Sequence, residues 1–118
     1  MSKEKRIEWI LRVAVAGEFL GHGVLAIGQK ATWLGWIEQI LRVEPTTAVV
    51  MLTIIGVLDV ALAVLVLVKP VRMIILWMAV WGFITALIRP IVGESVWDFI
   101  ERFANVGAPL ALYYLLKK

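Results

Sequence analysis

The chain has 118 residues, is 62% hydrophobic and carries a formal net charge of +3. With a mean hydropathy of +0.92, it holds more apolar surface than one soluble core of this length can hide, which points to a single integral membrane domain. The absence of cysteine excludes disulfides, thiol catalysis, CxxC redox chemistry and cysteine-bound iron–sulfur clusters within this chain. No basic stripe with interleaved aromatics is present, so the small positive charge reflects membrane orientation and not nucleic acid.

Lys3, Lys5 and Arg6 followed by Ala14-Val15-Ala16 imitate a signal peptide. Glu8 and Arg12 interrupt its apolar core, and the run continues to Ile27, so an uncleaved first span from about Ile7 to Gly28 is expected. Arg12, near one end, reads as a side chain snorkelling to the headgroups. The middle of this span is Gly17-Glu18-Phe19-Leu20-Gly21-His22-Gly23. An ionisable residue at bilayer depth is costly and suggests a functional site with a partner. Glu18 and His22, four apart, share one helix face. Their pairing reads equally as a structural hydrogen bond or a ligand site. Gly17 and Gly21 form a small-xxx-small pair that lets a neighbouring helix approach.

From Gln29 to Glu44 the apolar residues Trp33, Trp36, Ile37, Ile40 and Leu41 recur at helical spacing between Glu38, Gln39 and Arg42. This predicts an interfacial amphipathic helix with its tryptophans at headgroup level. Pro45 opens a second span, about Thr46 to Val68, interrupted by Gly56 and Asp59. Asp59 has no basic partner on its own helix. Lys69-Pro70 makes a tight connection, which predicts antiparallel neighbours. The third span runs from about Val71 to Ile88, with Gly82 and Ala86 as its small face, Arg89 as an interfacial anchor and Pro90 to Gly93 as a loop.

Ser95 and Asp98 cap a fourth span that reaches about Leu116, with Tyr113 and Tyr114 near its end and Lys117-Lys118 stopping it. Pro109 leaves the Asn105 carbonyl without a helical donor, so a kink is expected. Asp98, Glu101, Arg102 and Asn105 fall at i, i+3, i+4 and i+7, one polar stripe on an apolar helix.

The expected fold is therefore all-α, an integral membrane four-helix bundle over residues 1–118 with a short interfacial amphipathic helix between the first and second spans. Lys3, Lys5, Arg6, Lys69, Arg72, Lys117 and Lys118 collect on one side, and Lys30, Arg42 and Arg89 on the other. The positive-inside rule then places both termini in the cytoplasm of a cell-membrane protein. At the helical rise, His22 and Glu101 lie roughly 9 Å from the outer surface, Glu18 and Asn105 about 15 Å, and Asp59 about 19 Å. A closed bundle turns such groups inward, because lipid offers them no partner. The candidate ligand-binding set is Glu18, His22, Asp59, Glu101, Arg102 and Asn105, with Glu101 orienting Arg102. A lone histidine without a second strong axial ligand argues against haem, and no metal site is expected. The tryptophans read as an interface belt more readily than as a stacking cage.

A short four-span chain with Arg12 leading into Gly17, with Phe19-Leu20-Gly21-His22-Gly23, a tryptophan-rich connection with Lys30, and Glu101-Arg102-Phe103-Ala104-Asn105-Val106-Gly107-Ala108-Pro109-Leu110 resembles the DoxX-like family of small membrane proteins. The resemblance covers the layout of nearly the whole chain but only two short stretches of sequence. It implies a four-helix membrane bundle linked to redox metabolism, as a quinone-binding subunit or an accessory of a membrane or soluble redox partner. It carries over no catalytic residue, and it leaves open whether the chain is an enzyme. Two rivals remain: a non-catalytic assembly subunit whose polar groups lock packing, and a small transporter using Glu18 or Asp59 as a proton site. A transporter of this size needs an inverted repeat or a homo-oligomer, and the sequence shows no repeat.

Overall fold

A computed structural model describes residues 1–116; Lys117 and Lys118, expected to stop the last span, lie outside the described residues. The Ser2 hydroxyl accepts the Lys5 backbone N–H at 3.1 Å and so caps helix α1, Lys3–Ile27. Helix α2 follows at Ala31–Leu41. It is set off by two non-glycine residues in the left-handed region, Gln29 at φ 61° and Arg42 at φ 53°. The Gln29 amide donates to Thr53 Oγ1 at 2.8 Å, tying the start of α2 to helix α3, Pro45–Val68. Pro45 stands in the first turn of α3, where its missing N–H costs nothing.

Helix α4, Arg72–Ile91, runs past the expected loop start at Pro90. Pro90 falls in the last turn, and the chain end closes behind it: Val92 N–H bonds Ile88 O at 2.9 Å and Glu94 N–H bonds Arg89 O at 2.9 Å. The turn itself comes at Gly93, at φ 97°.

The expected fourth span is broken. Ser95 does cap, accepting the Trp97 N–H at 3.1 Å, but helix α5 covers only Val96–Ile100. A tight turn follows, with Arg102 N–H to Phe99 O and Phe103 N–H to Ile100 O, and helix α6 covers Ala104–Leu115. These three-residue bonds rotate the backbone more per residue than an α-helix does.

The described residues form helices and turns, and three of the helices, α1, α3 and α4, are long and apolar enough to cross a membrane. Helix α6 is too short to do so alone. Large apolar side chains stand exposed along these helices, among them Val13, Leu20, Val57, Val64 and Val80. In water such a surface would signal association; it is what a lipid-facing surface requires.

Helix α1 packs along α3, α6 packs against both α1 and α4, and α2 rests on α3, while α3 and α4 barely touch. The beginning of α1 and the end of α6 lie together, since Ser2, Glu8 and Leu116 line one shallow depression. This end, which also holds the α3–α4 connection, is termed basal and the opposite end distal.

The core occupies the basal half, where Val15, Phe19, Val66, Ile75, Met78 and Leu112 are fully covered. Two arginines lock its rim. Arg12 is 5% exposed and does not snorkel. It donates from Nε to Val66 O at 2.9 Å, from Nη2 to Leu67 O and from Nη1 to Glu8 at 3.1 Å. Arg72 donates to Tyr113 O at 3.2 Å and lies 3.9 Å from the centre of that tyrosine ring. Each guanidinium thus satisfies carbonyls at the C-terminal end of a neighbouring helix, where the helix dipole favours a cation.

Gly17 and Gly21 are not the close-packing pair: each has open space where a side chain would stand. The approach is made by Gly23 and Gly56. A Cβ on Gly23 would lie 2.8 Å from Gly56 O, and one on Gly56 would lie 2.9 Å from Gly23 O. Gly23 sits on the buried face of α1 with Phe19 and Ala26, whereas Gly17 and Gly21 face outward.

Candidate functional site

Two glycine contacts shape the distal half. Gly23 and Gly56 draw α3 onto α1. Gly82 draws α4 onto α6, since a Cβ there would lie 2.6 Å from Asn105 O. That carbonyl is the one Pro109 leaves without a helical donor. Each helix pair closes on itself, so the seam between α3 and α4 stays open above the core. The opening is a cleft of about 450 Å³.

Its walls are apolar: Met51, Leu52 and Ile55 come from α3, and Trp81, Ile84 and Ile88 from α4. Helix α2 roofs it with Trp33, Trp36 and Ile37, and α1 contributes His22 and Ala26. The apolar periodicity of α2 is therefore spent on the cleft. Trp33 meets His22 edge-on, with ring centres 5.7 Å apart at 86°. Lys30 Nζ lies 4.8 Å from the centre of the Trp33 ring. A pocket of this size, largely apolar with a few convergent polar groups, is the usual form of a small-molecule site.

The polar groups of the cleft are His22, Asp59, Thr85 and Arg89. Asp59 and Arg89 are each 5% exposed and stand on opposite walls. Arg89 Nη1 donates to Thr85 O at 2.6 Å, and its guanidinium lies 4.9 Å from the centre of the Trp36 ring. Among the described residues the ion pairs are Lys5–Glu8 and Arg12–Glu8, both basal, so neither cleft charge is in an ion pair, and the carboxylates Glu94, Asp98 and Glu101 are the more distant charged neighbours of Arg89.

Behind the cleft lies a second polar layer. Glu18 is half-buried between α1 and α4, with Oε2 3.5 Å from where a Gly82 Cβ would stand. Its charged neighbours are Asp59 and Arg102. Glu18 Oε2 and Arg102 Nε are both buried without a hydrogen-bond partner among the described residues. Arg102 is also a charged neighbour of His22.

The six residues singled out in the sequence are thus distributed unevenly. His22 and Asp59 line the cleft, and Glu18 and Arg102 stand behind it. Asn105 contributes its backbone carbonyl to the α4 contact. Glu101 is exposed and makes no ion pair with Arg102. The break between α5 and α6 explains this, because it takes Glu101 and Arg102 off the single stripe that a continuous helix would give. Sequence reasoning missed Arg89, Trp33 and Trp36 as cleft residues and gave them to the membrane interface. The available signal was Arg89 one turn from Thr85 inside an apolar helix. Comparison with known protein families, curated proteins and solved structures found no match.

Proposed function

We propose that the protein is a multi-pass cell-membrane protein that binds a quinone-like or similar amphipathic small molecule in the α3–α4 cleft, as a subunit or accessory of a membrane redox system. In this reading α5 and α6 together make the fourth crossing of a four-helix bundle, α2 lies at the outer membrane surface, and the basal end with both termini faces the cytoplasm. The excess of Lys3, Lys5, Arg6, Lys69 and Arg72 near that end supports the orientation.

The observation that carries the reading is the cleft itself: about 450 Å³, apolar, lined by tryptophans and holding two buried charged side chains. The redox assignment rests on the DoxX-like resemblance. The transporter alternative loses support, because Phe19, Ile75, Met78 and Leu112 fill the space between the helices on the basal side of Glu18.

The test is titration of a decyl-substituted benzoquinone into the detergent-solubilised protein while tryptophan fluorescence is followed. Saturable quenching, weakened at least several-fold in Arg89→Gln, is expected. Quenching that rises linearly and matches free tryptophan octyl ester would remove the reading.

A further inference from the structure

Asp59 and Arg89 are two nearly fully buried groups of opposite sign in one cleft, on facing helices, and neither is held in an ion pair among the described residues. Burying such groups is expensive unless a partner compensates them. Counted from the Lys69–Val71 connection, Asp59 of α3 stands level with Trp81 of α4. Arg89 is eight residues further along α4, about 12 Å at the helical rise. Its guanidinium reaches back one turn to the Thr85 carbonyl, which leaves an axial gap of roughly 6–10 Å between the two functional groups. One six-membered ring with an oxygen at each end fits a gap of that order; a long chain does not need it. Trp36 and Trp81 line the cleft from α2 and α4 and give such a ring aromatic neighbours.

Donor and acceptor chemistry decides the oxygens. A guanidinium only donates, so the oxygen beside Arg89 must accept. A carboxyl group donates when protonated and accepts when ionised. A hydroxyl satisfies it in both states, whereas a carbonyl oxygen satisfies only the protonated one. The geometry points to a ligand with one ring and two oxygen ends, an acceptor at Arg89 and a hydroxyl at Asp59, with its apolar tail leaving through the open α3–α4 seam into lipid. While Asp59 is ionised, the cleft therefore holds the reduced, hydroquinone form of its ligand in preference to the quinone. This rests on the cleft being the ligand site proposed above.

Calorimetric titration in detergent under anaerobic, reducing conditions tests it with decylhydroquinone and 4-decylphenol. Decylbenzoquinone is titrated separately without reductant. The native protein should bind decylhydroquinone about tenfold tighter than the other two, the value of one hydrogen bond to a charged group. Asp59→Leu should erase the hydroquinone-over-quinone preference, and Arg89→Met the hydroquinone-over-phenol preference. Asp59→Asn always offers an N–H that a quinone carbonyl accepts, so it should bind hydroquinone and quinone alike while keeping the hydroquinone-over-phenol preference, which separates lost recognition from lost folding. Equal affinity of the native protein for all three compounds would overturn the two-ended site. If the benzoquinone still quenches saturably in that case, the cleft remains the binding site and only this inference falls. No saturable binding of any compound removes both.

Discussion

Arg12 at the basal end and Arg89 in the distal half are buried to the same degree, each 5% exposed. Arg12 is bonded to two main-chain carbonyls and the Glu8 carboxylate. Arg89 has one carbonyl and the face of Trp36. Every nitrogen of the first makes a bond within the protein, and it has a structural job. The second has Glu94, Asp98 and Glu101 only as more distant charged neighbours and retains N–H donors that bond nothing among the described residues. Depth in an apolar helix marks both as costly, and only the count of partners separates a clamp from a site. The surroundings follow the same division, since the basal helices close on a filled core and the distal seam between α3 and α4 stays open.

Replacing the clamp should produce the largest effect. Arg12→Met removes the charge-assisted bonds to Val66 and Leu67 and should cost about 3 kcal/mol. Thermal unfolding in detergent reads this as a clear drop in midpoint, whereas Arg89→Met in the same assay should fall well short of it. Equal losses would erase the distinction between clamp and site.

Gly56→Val comes next. Its side chain would enter the space now held by the Gly23 carbonyl, and overpacking of this kind costs about 2 kcal/mol. Because α3 must move off α1, it should also alter the cleft, so ligand binding and stability should fall together. Stability unchanged would mean that the glycine contact does not set the seam.

A matched pair of truncations then compares the halves directly. Met78→Ala in the closed core should cost about 2 kcal/mol through the cavity it leaves. Ile55→Ala only enlarges a cleft that is already open and should stay within about 0.5 kcal/mol. Unfolding midpoints measured side by side check the ordering, and a larger loss at Ile55 would contradict it.

Gly21→Ala should have the smallest effect. Open space surrounds that position, and alanine is the better helix former by about 1 kcal/mol. A small rise in midpoint is expected. A marked loss of stability would show that something packs there after all.

Much of the helix layout was legible beforehand. The apolar runs that become α1, α3 and α4 are long despite a few polar residues, and Lys69-Pro70 marks the turn between the last two. The amphipathic segment at Ala31–Leu41 was also readable from Trp33, Trp36, Ile37 and Ile40. The identity of its burial partner was not, because periodicity gives a face and not what the face meets. The same limit hid the close-packing glycines. Gly17 and Gly21 fit the small-xxx-small pattern, yet the rotation of α1 against α3 selected Gly23.

What the sequence by itself determined is local: which stretches are helical, which are apolar enough to lie in lipid, and that Glu18, His22, Asp59 and Arg102 are costly where they stand. Spacing along one helix and hydropathy over a window decide these matters without reference to any other segment. Only the tertiary structure decided which costly groups are satisfied. Arg12 found carbonyls at the end of α3, 54 and 55 residues away, and Glu101 turned outward at a break that no capping residue announces. Hydrogen-bond partners and close approaches are set by the relative rotation of separate helices, a rigid-body quantity fixed by where glycines let backbones touch. It was Gly23 against Gly56, and Gly82 against Asn105, that opened the distal seam and put Asp59 and Arg89 across it.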